Sequence, residues 1–199
     1  KGAGNSATFD MSAGGNNTLV ADDDAASDSG SIAYTGGSGN DSLTFGQDLA
    51  RDDGTATFDM SAGGNNTFVA GINAASSSGS IVYTGGSGDD SLMFGGDLAY
   101  GGTVTLDLDD DTAADIVTFL GTIGDNGGTV TIQNFNFNHD TIDVPILAGT
   151  VGIIATNGGK DLSWVNSNGS YTSTIIFDEI GPSGSGVIAT TGQLGVNII

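Results

Sequence analysis

Six side-chain oxygens recur through this chain at a fixed interval: Asn17, Asp41, Asn66, Asp90, Asp115 and Asp140 are spaced 24 or 25 residues apart. Asp41 and Asp90 sit in near-identical stretches, GGSGNDSLT (36–44) and GGSGDDSLM (85–93), each preceded by Tyr-Thr. Asp is a short, rigid oxygen ligand for hard cations. Glycines permit left-handed backbone angles, which would aim successive carbonyls at one spot. Leu43 and Leu92, two residues past the acid, would anchor each turn. The chemistry this pattern suits is Ca²⁺ binding, with neighbouring turns sharing an ion that prefers six to eight oxygens. Candidate ligands are Gly37, Gly39, Asn40 and Asp41 in one turn, and Gly86, Gly88, Asp89 and Asp90 in the other. Asn17 and Asn66, in the turns AGGNNTL and AGGNNTF read as shorter, are weaker candidates. Their alternative is a hydrogen-bonded Asn ladder. Asp109 and Asp111, with Asp110 between them, precede Asp115 and suggest a third site. The acids at 21–30 and 46–54 read as solvated loops.

These residues must be held by a repeat. ATFDMSAGGNNT at 7–18 returns unchanged at 56–67. Counting from each Asn or Asp defines four apolar columns with the period of a strand. Two residues on stand Leu19, Leu43, Phe68, Leu92, Val117 and Ile142; four residues on, Ala21, Phe45, Ala70, Phe94, Phe119 and Val144. Before the turn, one column reads Phe9, Ile32, Phe58, Ile81, Leu106 and Ile132. The other reads Met11, Tyr34, Met60, Tyr83, Leu108 and Asn134. Each unit is expected to be strand, tight turn, strand and longer loop, with LARDDG and NAASSSG as loops. Such units bury their apolar faces only by stacking. The expected fold is all-β: a right-handed parallel β-solenoid of about six coils over 1–144, closed by a β-rich cap over 145–199. On its outer face Asp10, Thr35, Asp59, Thr84, Asp107 and Gln133 should form one column. Thr8, Thr57, Thr105 and Thr131 should form another, broken by Ala33 and Val82. That Thr face makes a cell-surface polysaccharide a candidate partner.

Composition narrows the function. The chain carries 24 acids against 3 basic residues, a formal charge of −21, and 21 of those acids lie in 1–144. Such a surface repels phosphate backbones and anionic membranes, so nucleic acid is excluded, and no run is apolar enough for membrane insertion. With no Cys there is no disulfide or thiol chemistry. His139 is the only His and lies in a turn. The paired acids fall in turns, not in a cleft, so no enzymatic activity is expected. The chain opens in mid-pattern at Lys1, as a fragment or processed form would.

The two glycine turns match the nonapeptide G-G-x-G-x-D-x-U-x. With them the chain resembles the RTX (repeats-in-toxin) family of calcium-binding β-rolls, exported by type I secretion. VTIQNFNFNHDTIDV (130–144) is similar to the segment closing many such arrays. The coils differ in being longer, with the motif on one side only. The resemblance implies Ca²⁺ as cofactor, an extracellular or bacterial cell-surface location, and an export signal within the last residues. It also implies either of two roles. One is a secreted structural protein that self-associates into a surface layer or fibre. The other is the export and folding module of a secreted enzyme or adhesin.

Overall fold

The computed structural model describes residues 4–136 and 138–143, and beyond them the strands β16 (Ile153–Thr156), β17 (Asp161–Val165), β18 (Thr172–Asp178), β19 (Gly186–Ile188) and β20 (Val196–Ile198). The chain is an all-β solenoid whose repeat is one coil, and each coil opens with two strands. The first strands are β1 (Ser6–Asp10), β3 (Ser31–Thr35), β6 (Thr55–Asp59), β9 (Ser80–Thr84), β12 (Thr103–Asp107) and β14 (Thr129–Gln133). They pair in parallel, in that order, in one sheet. The second strands are β2 (Thr18–Ala21), β4 (Ser42–Phe45), β7 (Thr67–Ala70), β10 (Ser91–Phe94), β13 (Ile116–Phe119) and β15 (Thr141–Asp143). They form a second parallel sheet. Within strands such as β6, β10 and β12 buried residues alternate with more exposed ones, because successive side chains point to opposite faces.

The longer loops are not loops throughout. β5 (Leu49–Arg51), β8 (Asn73–Ser76) and β11 (Asp97–Leu98) stack as a third parallel sheet. This overturns the reading of LARDDG and NAASSSG, and the reason is burial. Ala25, Leu49, Ala74, Leu98 and Ile123 stand in register on successive coils, all buried, and close the third side of the core. Their spacing of 24 or 25 residues is the repeat's own, so the column was visible in the sequence. Small alanines and strands of two to four residues hid it.

The inward columns before the turn also need correction. Phe9 pairs with Tyr34, not Ile32, and the column continues through Phe58, Tyr83, Leu106 and Ile132. Ile32 belongs with Ala7, Ala56, Ile81, Val104 and Val130. The expected columns slipped by two residues in alternate coils because the turns differ in length. The turn at 11–17 is longer than the turn at 36–41, the reverse of the sequence expectation. The outward columns pair as read: Asp10, Thr35, Asp59, Thr84, Asp107 and Gln133 lie in register.

Rings dominate the middle coils. Phe68 lies 4.9 Å from Phe58, 5.9 Å from Phe45, 5.7 Å from Tyr83 and 5.8 Å from Phe94, and Phe119 stacks on Phe94 at 5.6 Å. Each such pair adds roughly 0.5–1.5 kcal/mol to the burial of its apolar area. At one end β1 and β2 are edge strands. At the other, β14 takes β18 as a parallel neighbour, and β17 and β16 follow antiparallel. The expected boundary at Pro145 and Val144 of the inward column lie outside the described residues.

Candidate functional site

The six recurring residues fall on one line, and five of them lend it a side-chain oxygen. The Asn17 N–H donates to Asp41 Oδ1 (2.8 Å), Asp41 N–H to Asn66 Oδ1 (3.0 Å), and Asn66 N–H to Asp90 Oδ1 (2.8 Å). The line continues from Asp90 N–H to Asp115 Oδ1 (2.8 Å) and from Asp115 N–H to Asp140 Oδ1 (3.1 Å). Each coil thus hands a backbone N–H to the side chain of the next. Asp41, Asn66, Asp90, Asp115 and Asp140 are all buried. The residue just before runs a second ladder in the opposite sense. Asn40 N–H donates back to Asn16 Oδ1, Asn65 N–H to Asn40 Oδ1, and Ala114 N–H to Asp89 Oδ1, each at 2.9 Å. The Asn-Asn, Asn-Asp and Asp-Asp pairs are therefore clamps between coils. For Asn17 and Asn66 this is the ladder that stood as the alternative to ligation.

The glycines act differently from expectation. Gly36, Gly37, Gly39, Gly85, Gly86 and Gly88 do not take left-handed angles. Positive φ is found in the other turn type, at Gly14 and Gly15 (91° and 92°) and at Gly63 and Gly64 (101° and 94°). The motif glycines are required by proximity. A Cβ on Gly86 would stand 2.5 Å from the Met60 carbonyl oxygen and 2.7 Å from Gly63 Cα, and one on Gly37 or Gly39 would strike the backbone of Gly14 or Gly15. A Cβ on Gly36 would lie 2.8 Å from Met60 Sδ. Backbone stacks on backbone here, and no side chain fits between.

Coulomb repulsion builds along the ladder. Asn66 separates Asp41 from Asp90, but Asp90, Asp115 and Asp140 follow without a neutral spacer. Burial pushes the Asp115 carboxyl up to about 8; the Asp90 N–H opposes this, and Asp140, Asp90 and Asp111 add to it. Burial raises Asp90 to about 6 against the hydrogen bonds it accepts. Asp140 is raised by burial, with Asp111 adding and His139 opposing. Tyr83 donates to Asp90 Oδ2 at 2.9 Å, and burial beside that carboxylate raises its hydroxyl well above 10. Tyr34, in the same place beside Asp41, is pushed up to about 12 by burial and by Asp41.

Whether these residues fit a cation differs from turn to turn. Asp41 Oδ1 accepts both the N–H and Nδ2 of Asn17, and its buried Oδ2 faces the buried Tyr34 hydroxyl, the place that Tyr83 takes at Asp90. Asp90 has both oxygens occupied, by Asn66 and Tyr83. Asp111 Oδ2 is buried and unpartnered, next to Asp115 and Asp140. Asp109 lies apart, exposed, with φ 66°, and takes the Asp110 N–H at 2.8 Å. Among the described residues no group of three or more His, Cys, Asp or Glu side chains is gathered as a ready cage. Asp140 also has both oxygens occupied, by the Asp115 and Asn136 N–H groups. A cation would have to displace Tyr34 at Asp41 or Tyr83 at Asp90, and at the third turn the buried oxygen without a hydrogen bond is Asp111 Oδ2.

A second polar column went unread. Asp24, Asp48, Asn73, Asp97 and Thr122 recur at the same interval on the third face. Asn73 Nδ2 donates to Asp48 Oδ1 (2.8 Å) and Thr122 Oγ1 to Asp97 Oδ1 (2.6 Å). Arg51 bridges Asp24 (3.2 Å), Asp48 (2.8 Å) and Asp52 (3.1 Å). These are structured acids, not merely solvated ones. His139 lies exposed in its turn, its N–H on the Asn136 carbonyl. Among the described residues no helix is long and apolar enough to cross a membrane.

Comparison with known proteins finds no match to any family model, curated protein or solved structure.

Proposed function

We propose that this chain is a structural protein of the bacterial cell exterior, a Ca²⁺-stabilised solenoid that self-associates into a layer or fibre. The observation that carries this reading is the stack itself, in which near-identical coils pair strand to strand and are joined by a continuous ladder of side chains. Support for Ca²⁺ comes from −21 of formal charge, from the buried, unpartnered Oδ2 of Asp111, and from the two nonapeptides. A cation bound only to the folded form stabilises it by mass action.

The test is light scattering and electron microscopy of the chain with Ca²⁺ and with chelator, alongside β circular dichroism. Growing particles with Ca²⁺ and loss of β signal in chelator are expected. A monomer at high concentration with Ca²⁺ would overturn assembly, and an unchanged spectrum in excess chelator would overturn the cation. The second reading, an RTX-like export and folding module, rests on the same nonapeptides. It predicts Ca²⁺-dependent folding without assembly.

A further inference from the structure

The three outer faces of the solenoid differ in charge. On the first sheet Asp10, Asp59 and Asp107 project outward in one column with Thr35 and Thr84. The third face carries Asp24, Asp48 and Asp97. The second sheet is different. One of its outward columns runs Val20, Thr44, Val69, Met93, Thr118 and Asp143, with its acid on the last strand, β15. The other column is Ser or Thr on every strand except β13, where Ile116 stands. So nothing that points outward from β2, β4, β7, β10 or β13 is charged, on a chain of formal charge −21. Seven large apolar side chains are exposed among the described residues, and this face holds four of them: Val20 (56%), Met93 (36%), Ile116 (46%) and, just past β13, Leu120 (48%). A strand solvated on one face alternates apolar with polar residues, as TATFD does in β6, whereas one covered on both faces reads as a near-continuous apolar run. TLVA, TFVA, SLMF and IVTF of the second sheet are of the covered kind.

We infer that the outer face of the second sheet is a lateral contact surface, and that its occupant is the same face of a second copy of this chain. The inference deepens the self-association reading above by naming the surface. Two such faces stack about 10 Å apart, with their strands within about 30° of each other. Charge selects the occupant. Copies that met through the first or third face would set Asp against Asp, and like charges across a contact suppress it. Through the second face they set Val, Met, Ile and Thr together. The face offers no aromatic ring on which a sugar could stack, because Phe45, Phe68, Phe94 and Phe119 all point inward. Strand spacing and rise give the six-stranded face a flat area of about 400 Å². That is about half of the roughly 800 Å² that each partner buries in a stable complex. One pair is therefore held weakly, and the contact gains strength by repetition in an assembly.

The test is sedimentation velocity of the full chain with Ca²⁺ over a range of concentrations, comparing Val69→Asp with Val82→Asp. Both residues project outward from mid-strand, Val69 on this face and Val82 on the first sheet, so the two variants carry the same added charge. Val69→Asp should weaken self-association about tenfold or more, because it sets like charges across the contact. Val82→Asp should leave it unchanged. Added NaCl should strengthen association of the parent chain by screening the acidic corners around the face. The chain has no Cys, so single cysteines give an independent readout. With a thiol cross-linker of about 10 Å reach, a linked dimer is expected from at least one of Thr44→Cys, Val69→Cys and Met93→Cys, and not from Val82→Cys. Equal association of the two Asp variants, with no linked dimer from those three Cys variants, would overturn the inference and leave self-association through another surface standing. Dimers that link through this face but never grow into larger particles would support it and remove the layer or fibre. A chain that stays monomeric at high concentration would overturn it, and retardation of that monomer in a neutral polysaccharide gel would assign the face to a carbohydrate instead.

Discussion

The Tyr83 hydroxyl donates a 2.9 Å hydrogen bond to Oδ2 of Asp90, seven residues on and across the turn, with both side chains buried. The bond uses the carboxylate oxygen that the ladder leaves over, so the aspartate faces the core and not the solvent. Tyr83→Phe removes the donor and strands a buried acceptor, which typically costs about 1–3 kcal/mol. Urea unfolding should show that loss. A variant as stable as the parent would mean that Asp90 has another partner.

Asp115 sits between two ladder acids, and its raised carboxyl sets a pH dependence. The folded value is about 8 against roughly 3.9 for an unfolded Asp. Between those values the folded state binds more protons than the unfolded state, so stability falls as pH rises. Asp90, at about 6, adds in the same direction. In chelator the melting temperature should therefore fall from pH 4 to pH 8. Asp115→Asn keeps the oxygen that accepts the Asp90 N–H and removes the charge. It should raise stability at pH 8 by roughly 1–3 kcal/mol and flatten the upper part of the profile. A profile that rises towards pH 8 would contradict this account.

Gly88 and Gly15 separate the two uses of glycine. A Cβ on Gly88 would lie 2.7 Å from Asn65 Oδ1 and strike the Gly64 backbone, whereas Gly15 has free space and φ 92°. Gly88→Ala should force neighbouring coils apart and cost about 1–3 kcal/mol or more, as overpacking does. Gly15→Ala should cost only the left-handed penalty, roughly 1–2 kcal/mol. Chemical denaturation that ranks them the other way would disprove the stacking argument.

Ser78 holds φ 69° at an exposed corner, where the coil below has Gly101 at φ 68°. Ser78→Gly relieves a left-handed strain of roughly 1–2 kcal/mol. Against that stands the greater freedom of glycine in the unfolded chain, about 0.5–1 kcal/mol. The net expectation is a small gain, read as a rise in melting temperature. A fall would show that the Ser side chain has a role at that corner.

Calcium titration should separate the turn types. Asp41→Ala removes a charged group, while Asn17→Ala and Asn66→Ala remove neutral ladder members. Calorimetry should show weaker Ca²⁺ binding for Asp41→Ala than for either Asn variant. Equal losses would make the Asn turns ligands in their own right.

The solenoid was legible in the sequence because a repeat writes each structural position several times. Period-2 columns at an interval of 24 or 25 residues leave stacked parallel strands as the way to bury Leu43, Phe68, Leu92 and Val117 together. What lay beyond the sequence was the direction of a side chain and the distance between backbones. GGSGND reads equally as a cage of carbonyls or as a close-packed step, since glycine permits both. Only the stacked coils place Gly86 against the Met60 carbonyl and turn Asp90 inward onto Tyr83. The register of Phe9 with Tyr34 was decided the same way. Turn lengths shift the count by a residue, and pairing between coils, not spacing along the chain, determines which side chains meet.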